Sequence, residues 1–118
     1  MIKVGVAGFG VIGQRLADGV AMQKDMELVG VADVSPTLAI RALKEKGMPY
    51  DLYNAIPGND KVFEELGIKV SGTLEELVQK VDIMLDASPG GIGAKNKIIY
   101  EKYNKKAIFQ GGESNSVA

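Results

Sequence analysis

The chain has 118 residues and is nearly neutral, with 14 basic against 15 acidic side chains, and 46% of its residues are hydrophobic, which is typical of one globular domain. So balanced a charge gives no general attraction to nucleic acid or to an anionic membrane, and we expect neither as a partner. Because cysteine and histidine are absent, disulfides, thiolate metal ligands, cysteine nucleophiles and the commonest general base are excluded, so we expect neither a metal site nor a catalytic residue.

Strand-like and helix-like segments alternate along the sequence. Short apolar runs rich in valine predict buried parallel strands, and apolar residues at i, i+4 spacing with capping signals predict the helices between them. In chain order the sequence predicts strand Ile2–Ala7, helix Val11–Met22, strand Glu27–Ala32, a helix opening at Ser35 and ending at Gly47, strand Tyr50–Ile56, helix Lys61–Leu66, strand Ile68–Val70, helix Thr73–Lys80, strand Asp82–Asp86, helix Ile92–Tyr103 and strand Ala107–Gln110.

Such alternation calls for right-handed crossovers between neighbouring parallel strands. We therefore expect a single α/β domain over residues 1–118, with a Rossmann-like, doubly wound and mostly parallel sheet. No apolar stretch is as long as a membrane span, and no signal-peptide pattern opens the chain, which favours a cytoplasmic location.

The turn after the first predicted strand carries the motif G-x-G-x-x-G at Gly8, Gly10 and Gly13. Gly8 allows a tight strand-to-helix turn, Gly10 lets a pyrophosphate approach the backbone, and Gly13 lets the helix pack closely on the strand. The N-terminus of the following helix adds unpaired N–H groups and partial positive charge for the phosphates. The motif predicts a dinucleotide-binding loop, and a purely structural tight turn is the alternative.

Asp33 follows the second predicted strand, 20 residues past Gly13. An acidic residue in this place accepts hydrogen bonds from the adenosine ribose, and its charge would repel the 2′-phosphate of NADP. We therefore predict NAD as the cofactor, with NADP as the alternative that Arg41 would favour if its helix points it back. The other alternative is that Asp33 only caps the turn that follows it.

Two further strand ends fall at the edge of the sheet where ligands of open parallel sheets bind. Residues 86–91 (DASPGG) follow one strand and residues 110–113 (QGGE) follow the last, and small residues let a flat nicotinamide ring approach the backbone. Tight turns without a ligand are the alternative for both segments. Asp86 is a base by residue type, but we expect it to cap the next turn, and we expect Tyr100 to be a packing or half-exposed residue.

Several segments resemble glyceraldehyde-3-phosphate dehydrogenase of the archaeal type. They include IKVGVAGFGVIGQRLADGV at 2–20, and the more distinctive VDIMLDASPGGIGAKNKIIYEKY at 81–103 and AIFQGGE at 107–113. The resemblance covers essentially the whole chain and implies the N-terminal NAD(P)-binding domain of a homotetrameric oxidoreductase of central carbon metabolism. That family oxidises an aldehyde phosphate through a cysteine thioester, and its catalytic domain, with the cysteine and a histidine base, is absent from this chain.

The resemblance implies cofactor contacts only. It places the pyrophosphate at Gly8, Phe9, Gly10, Val11, Ile12 and Gly13, the adenosine ribose at Asp33 and Val34, and the adenine-distal part of the cofactor at Ser88, Pro89, Gln110 and Gly111. The archaeal branch often has Lys-Thr where this chain has Asp33–Val34, a difference that also favours NAD over NADP. The alternatives are a stand-alone or engineered NAD-binding module, such as a redox sensor, and the first domain of another Rossmann oxidoreductase.

Overall fold

The computed structural model describes residues 1–34, 51–56, 60–88 and 92–109. The predicted helix between Ser35 and Gly47 therefore lies outside the described residues. The strands are β1 Ile2–Ala7, β2 Met26–Asp33, β3 Asp51–Asn54, β4 Gly72–Thr73, β5 Ile83–Asp86 and β6 Lys106–Phe109, and the helices are α1 Val11–Ala21, α2 Asp60–Glu64, α3 Leu74–Lys80 and α4 Ile92–Lys102.

The strands form one six-stranded sheet in the order β4-β3-β2-β1-β5-β6, and every neighbouring pair runs parallel. Two core clusters lie on opposite faces of this sheet, because residues that follow one another along a strand fall in different clusters, as Val6 and Ala7 do. The first cluster contains Ala17 of α1 and Phe63 of α2, and the second contains Leu77 of α3 and Tyr100 of α4. Helices thus cover both faces, and the prediction of a doubly wound parallel sheet is confirmed.

The order of the strands reverses at β1. The chain moves outward from β1 through β2 and β3 to β4, and then returns so that β5 pairs with the other side of β1. The last residues of these two strands, Ala7 and Asp86, are direct neighbours in the parallel register. The turns that follow β1 and β5 are consequently side by side at the carboxyl edge of the sheet.

The predicted strand at Ile68–Val70 is wrong, and the strand in this region is β4 at Gly72–Thr73. Ile68 instead completes the C-terminal cap of α2, since its N–H donates to the Phe63 carbonyl at 3.0 Å and Gly67 before it has a left-handed conformation with φ of 71°. The side chain of Ile68 is buried in the core without sheet pairing. Hydrogen bonding to β3 begins only with the Ser71 N–H, which donates to the Leu52 carbonyl at 2.7 Å.

The predicted capping box at the start of α3 is confirmed. The Thr73 hydroxyl accepts from the Glu76 N–H at 3.3 Å, and the Glu76 carboxylate accepts from the Thr73 N–H at 3.3 Å. These bonds satisfy two backbone groups that a helix start leaves without partners. Across the described parts of the chain, no helix combines the length and the hydrophobicity that crossing a membrane requires.

Candidate functional site

The candidate site is formed by the turns after β1 and β5, where the strand order reverses. Open parallel sheets bind their ligands in the crevice at such a point. The Ala87 N–H donates to the Ala7 carbonyl at 2.8 Å, which extends the pairing of the two strands into their turns. The structure thus brings together two of the predicted site segments, the glycine motif and the segment that contains Ser88.

Two glycines of the motif are required by the fold itself. Gly8 has φ of +83°, in the left-handed region, and a Cβ at this position would lie 2.6 Å from the Ser88 nitrogen. A Cβ on Gly13 would lie 1.9 Å from the Gly8 carbonyl oxygen. The Gly8 N–H also donates to the Ala32 carbonyl at 2.7 Å, so the turn is held between β2, α1 and the turn after β5.

Gly10 is different, because a Cβ there would meet no atom within 4 Å among the described residues. Gly10 is the N-cap of α1, where Val11 is the first helical residue, and no side chain caps this helix. The first N–H groups of an α-helix have no acceptor within the helix, and the first turn of α1 contains no acidic residue. Half-exposed Ile12 lies in the same turn. Open space in front of an uncapped helix N-terminus is suited to an anion.

Asp33 joins the end of β2 to the glycine turn. Its two carboxylate oxygens accept from the Phe9 N–H at 2.8 Å and from the Val34 N–H at 2.7 Å, so the capping alternative describes part of its role. The Phe9 ring is buried in the core, and any contact of Phe9 with a ligand would therefore come from its backbone. Asp33 keeps 8% of its surface exposed, and each carboxylate oxygen can accept more than one hydrogen bond.

Asp86 is fully buried at the end of β5 and is held by three donors. One oxygen accepts from the Ser88 N–H at 2.8 Å, which confirms the predicted capping of the turn. The other oxygen accepts from Asn96 Nδ2 at 3.1 Å and from the Tyr100 hydroxyl at 2.5 Å. Asn96 also donates to the Ser88 hydroxyl at 3.3 Å. These four side chains form a buried polar cluster beside the glycine turn, which we call the Asp86 cluster.

Asn54, at the end of β3, repeats the arrangement of Asp86. Its side-chain oxygen accepts from the Ile56 N–H at 2.9 Å, and its Nδ2 donates to Asp60 at 2.8 Å, which ties β3 to the start of α2. The roles of Asn54, Asn96 and the Tyr100 hydroxyl were not predicted from the sequence. A usable signal was present for the last two, because positions four apart lie on one face of a helix.

Three predicted site residues, Pro89, Gln110 and Gly111, lie outside the described residues.

The lysines with altered pKa values lie away from the candidate site, on α3 and α4. The Tyr53 hydroxyl, which accepts from Lys80 Nζ at 3.0 Å, raises the pKa of Lys80. The Glu75 carboxylate at 3.2 Å raises the pKa of Lys102 in the same way. Neither pair belongs to the turns that form the candidate site.

No family model matches this sequence. Over almost its full length, however, the chain is similar to proteins named glyceraldehyde-3-phosphate dehydrogenase. It is 51% identical to the one from Thermococcus sibiricus over 117 residues, which are 99% of this chain and 34% of the relative. It is 54% identical to the one from Methanobacterium bryantii over 114 residues, 96% of this chain and 33% of the relative. The chain thus spans about a third of the length of the curated relatives it matches.

Two solved structures with a similar fold and low sequence identity are dehydrogenases. The UDP-N-acetylglucosamine 3-dehydrogenase GnnA from Acidithiobacillus ferrooxidans aligns with a TM-score of 0.59 at 18% identity, over 92% of this chain and 29% of that one. The scyllo-inositol dehydrogenase from Lactobacillus casei aligns with a TM-score of 0.55 at 18% identity, over 92% and 28% of the two chains. At this level of identity the likeness concerns the fold, and it agrees with the doubly wound sheet described above.

Proposed function

This chain is homologous to about a third of the length of archaeal glyceraldehyde-3-phosphate dehydrogenases. From this premise we propose that residues 1–118 form the NAD-binding domain of such an oxidoreductase. The resemblance inferred from the sequence motifs is confirmed by these relatives, which are about half identical to the chain. The alternative of a stand-alone binding module is not favoured, because the relatives that match almost the whole chain are dehydrogenases.

One observation carries the proposal, namely the contrast between the three glycines of the motif. Gly8 and Gly13 are needed to close the turn, whereas the space at Gly10 is open in front of the uncapped start of α1. Close packing explains Gly8 and Gly13, but it does not explain Gly10. A pyrophosphate that approaches the backbone at Gly10 and accepts from the first N–H groups of α1 provides a reason for glycine at this position.

The position of Asp33 supports NAD rather than NADP. Its carboxylate lies at the end of β2, one strand away from the glycine turn, and is hydrogen bonded to the Phe9 N–H of that turn. In this fold, the acid at that strand end accepts from the ribose hydroxyls of the adenosine. A phosphate on the 2′ oxygen would replace a donor by a second negative charge beside Asp33, which is unfavourable.

The chain's own contribution to the family's reaction is binding and orientation. When bound, the dinucleotide supplies a hydride acceptor for the oxidation of an aldehyde phosphate. The thioester chemistry of the family needs a cysteine and a histidine, and this chain contains neither, so we assign it no covalent or proton-transfer step. A cytoplasmic location and assembly with further copies rest on the homology alone and belong to the same proposal.

The proposal is tested by titrating NAD into the 118-residue chain and into its Gly10→Val variant, using isothermal titration calorimetry. We expect the wild type to bind and Gly10→Val to lose at least about tenfold in affinity, since the new side chain fills the space of the pyrophosphate. The fold should be retained, because no described atom lies within 4 Å of the added Cβ.

The matched control is Gly19→Val, the same substitution inside the helix that Gly10 caps, at a second position where a Cβ meets no described atom within 4 Å. Gly19→Val should bind NAD as the wild type does. Undiminished binding by Gly10→Val would show that the glycine turn is structural only, and a wild-type chain that binds no NAD would refute the proposed function.

A further inference from the structure

We propose that Tyr100 is a positioning residue of the cofactor site, which acts through Asp86 and sets how closely the turn after β5 approaches the glycine turn. The inference rests on the proposed function, since it concerns the same dinucleotide site. Tyr100 itself is buried in the second core cluster, behind the turn and away from the surface. Its effect on a ligand would therefore be exerted through the turn and not by contact.

The Asp86 cluster connects α4 to this turn through a single carboxylate. Asn96 and Tyr100, which are four residues apart on α4, both donate to one oxygen of Asp86. The other oxygen accepts from the Ser88 N–H and so fixes the direction of that peptide group. The conformation of the turn and the position of α4 are thereby linked by hydrogen bonds to the two sides of one planar group.

The charge of Asp86 makes this link stiff. Among the described residues, no lysine or arginine forms an ion pair with Asp86, and its three partners are the Ser88 N–H, Asn96 and Tyr100. A carboxylate that is fully buried depends on such donors, because burial without them is strongly unfavourable. Loss of the Tyr100 hydroxyl would therefore make the carboxylate reorient, and the Ser88 peptide group would follow it.

The movement would reach the glycine turn directly. The Ser88 nitrogen and Cα lie 2.6 and 2.7 Å from the place where a Gly8 Cβ would be, so the two turns are in contact at the Gly8 Cα. The Ala87 N–H is bonded to the Ala7 carbonyl at 2.8 Å. A rotation of the Ala87–Ser88 peptide group changes the wall of the crevice on the β5 side, while the β2 side, with Asp33, keeps its contacts.

The test compares two ligands in the 118-residue chain and in its Tyr100→Phe variant. NAD reaches both sides of the crevice, whereas adenosine monophosphate has only the half that Asp33 would hold. We expect Tyr100→Phe to weaken NAD binding about three- to tenfold, as for the loss of part of a charged hydrogen bond, and to change the affinity for adenosine monophosphate less than about twofold. The ring packing against Phe109, with centroids 6.0 Å apart, is kept.

Tyr103→Phe is the matched control, the same substitution one residue after the same helix. The Tyr103 hydroxyl donates to Glu75 at 3.3 Å, outside the turns of the site, and its loss should leave both affinities unchanged. If Tyr100→Phe does not fold, Asn96→Ala, which removes the other side-chain donor to the same oxygen, decides by the same criteria.

Selective loss of NAD affinity supports the positioning role. An equal loss of affinity for NAD and for adenosine monophosphate would show that Tyr100 only stabilises the domain. Unchanged NAD affinity would show that the turn does not respond to the loss of the hydroxyl. Either result overturns the inference, while the proposed function stands. A wild-type chain that binds neither ligand overturns the proposed function, and the inference with it.

Discussion

The third glycine of the motif gives the sharpest test of the structure, because its substitution to alanine has a control in the same helix. The Cβ of Gly13→Ala would lie 1.9 Å from the Gly8 carbonyl oxygen and 2.9 Å from the Gly8 carbonyl carbon. Both atoms belong to the backbone, so no side-chain rotation relieves the contact. The same substitution at Gly19, further along α1, places a Cβ in open space.

The free-energy cost of Gly13→Ala depends on how firmly Gly8 is held in place. Its N–H is bonded to the Ala32 carbonyl at 2.7 Å and its Cα packs on the Ser88 backbone, so α1 must move away by roughly 1.5 Å to restore van der Waals distance. Overpacking of a core costs about 1–3 kcal/mol, and a backbone contact this short lies at or above that upper end. Alanine gains about 1 kcal/mol over glycine in a helix interior. We expect Gly13→Ala to lose about 2 kcal/mol or more of unfolding free energy.

Urea unfolding followed by far-ultraviolet circular dichroism measures both variants. Gly19→Ala should be more stable than the wild type by about 0.5–1 kcal/mol, whereas Gly13→Ala should be less stable than the wild type by about 2 kcal/mol or more. The two substitutions thus change the unfolding free energy in opposite directions. Wild-type stability in Gly13→Ala, or an equal loss in Gly19→Ala, would refute the close approach of α1 to the glycine turn.

Two further predictions concern the cofactor preference and the capping of α3. The wild type should bind NAD at least about tenfold more tightly than NADP, and Asp33→Asn should reduce this ratio of affinities. The control Asp25→Asn, the same change just before β2, should leave the ratio unchanged. Tighter binding of NADP by the wild type would contradict the assignment. Thr73→Ala removes the capping box and should cost about 1 kcal/mol in urea unfolding, while Ser71→Ala, at an exposed position outside the box, should cost less. Equal stability of the two variants would show that the box contributes nothing.

The features that could be predicted from the sequence are those set by a few consecutive residues. The glycine motif predicted the turn because a left-handed residue and a close helix approach both require glycine, as at Gly8 and Gly13. The capping box at Thr73 and Glu76 was readable for the same reason, since both partners lie within one helical turn. Alternation of apolar runs and amphipathic segments was enough for a doubly wound sheet.

What could not be predicted depends on partners that are distant in the chain. The Phe9 N–H finds Asp33 24 residues later, and the Tyr100 hydroxyl finds Asp86 14 residues earlier. Neither pairing follows from local propensity, because the first arises only when β1 and β2 align their carboxyl ends and the second only when α4 packs on the sheet. The wrong strand at Ile68–Val70 has a related cause. Apolar residues there fill the core after a helix end, and hydrophobicity alone does not distinguish core filling from strand pairing.

The two aspartates at the strand ends show why residue type and place are insufficient to assign a role. Both Asp33 and Asp86 follow a buried strand at the same edge of the sheet, and both accept from a backbone N–H of the next turn. Asp86 is 0% exposed and receives two side-chain donors from α4, so its charge is used within the protein. Asp33 keeps 8% of its surface exposed, and under the proposed function its carboxylate accepts from the ribose hydroxyls. The two side-chain donors from α4 therefore assign Asp86 to shaping the turn, whereas under the proposed function Asp33 is the carboxylate that binds the ribose.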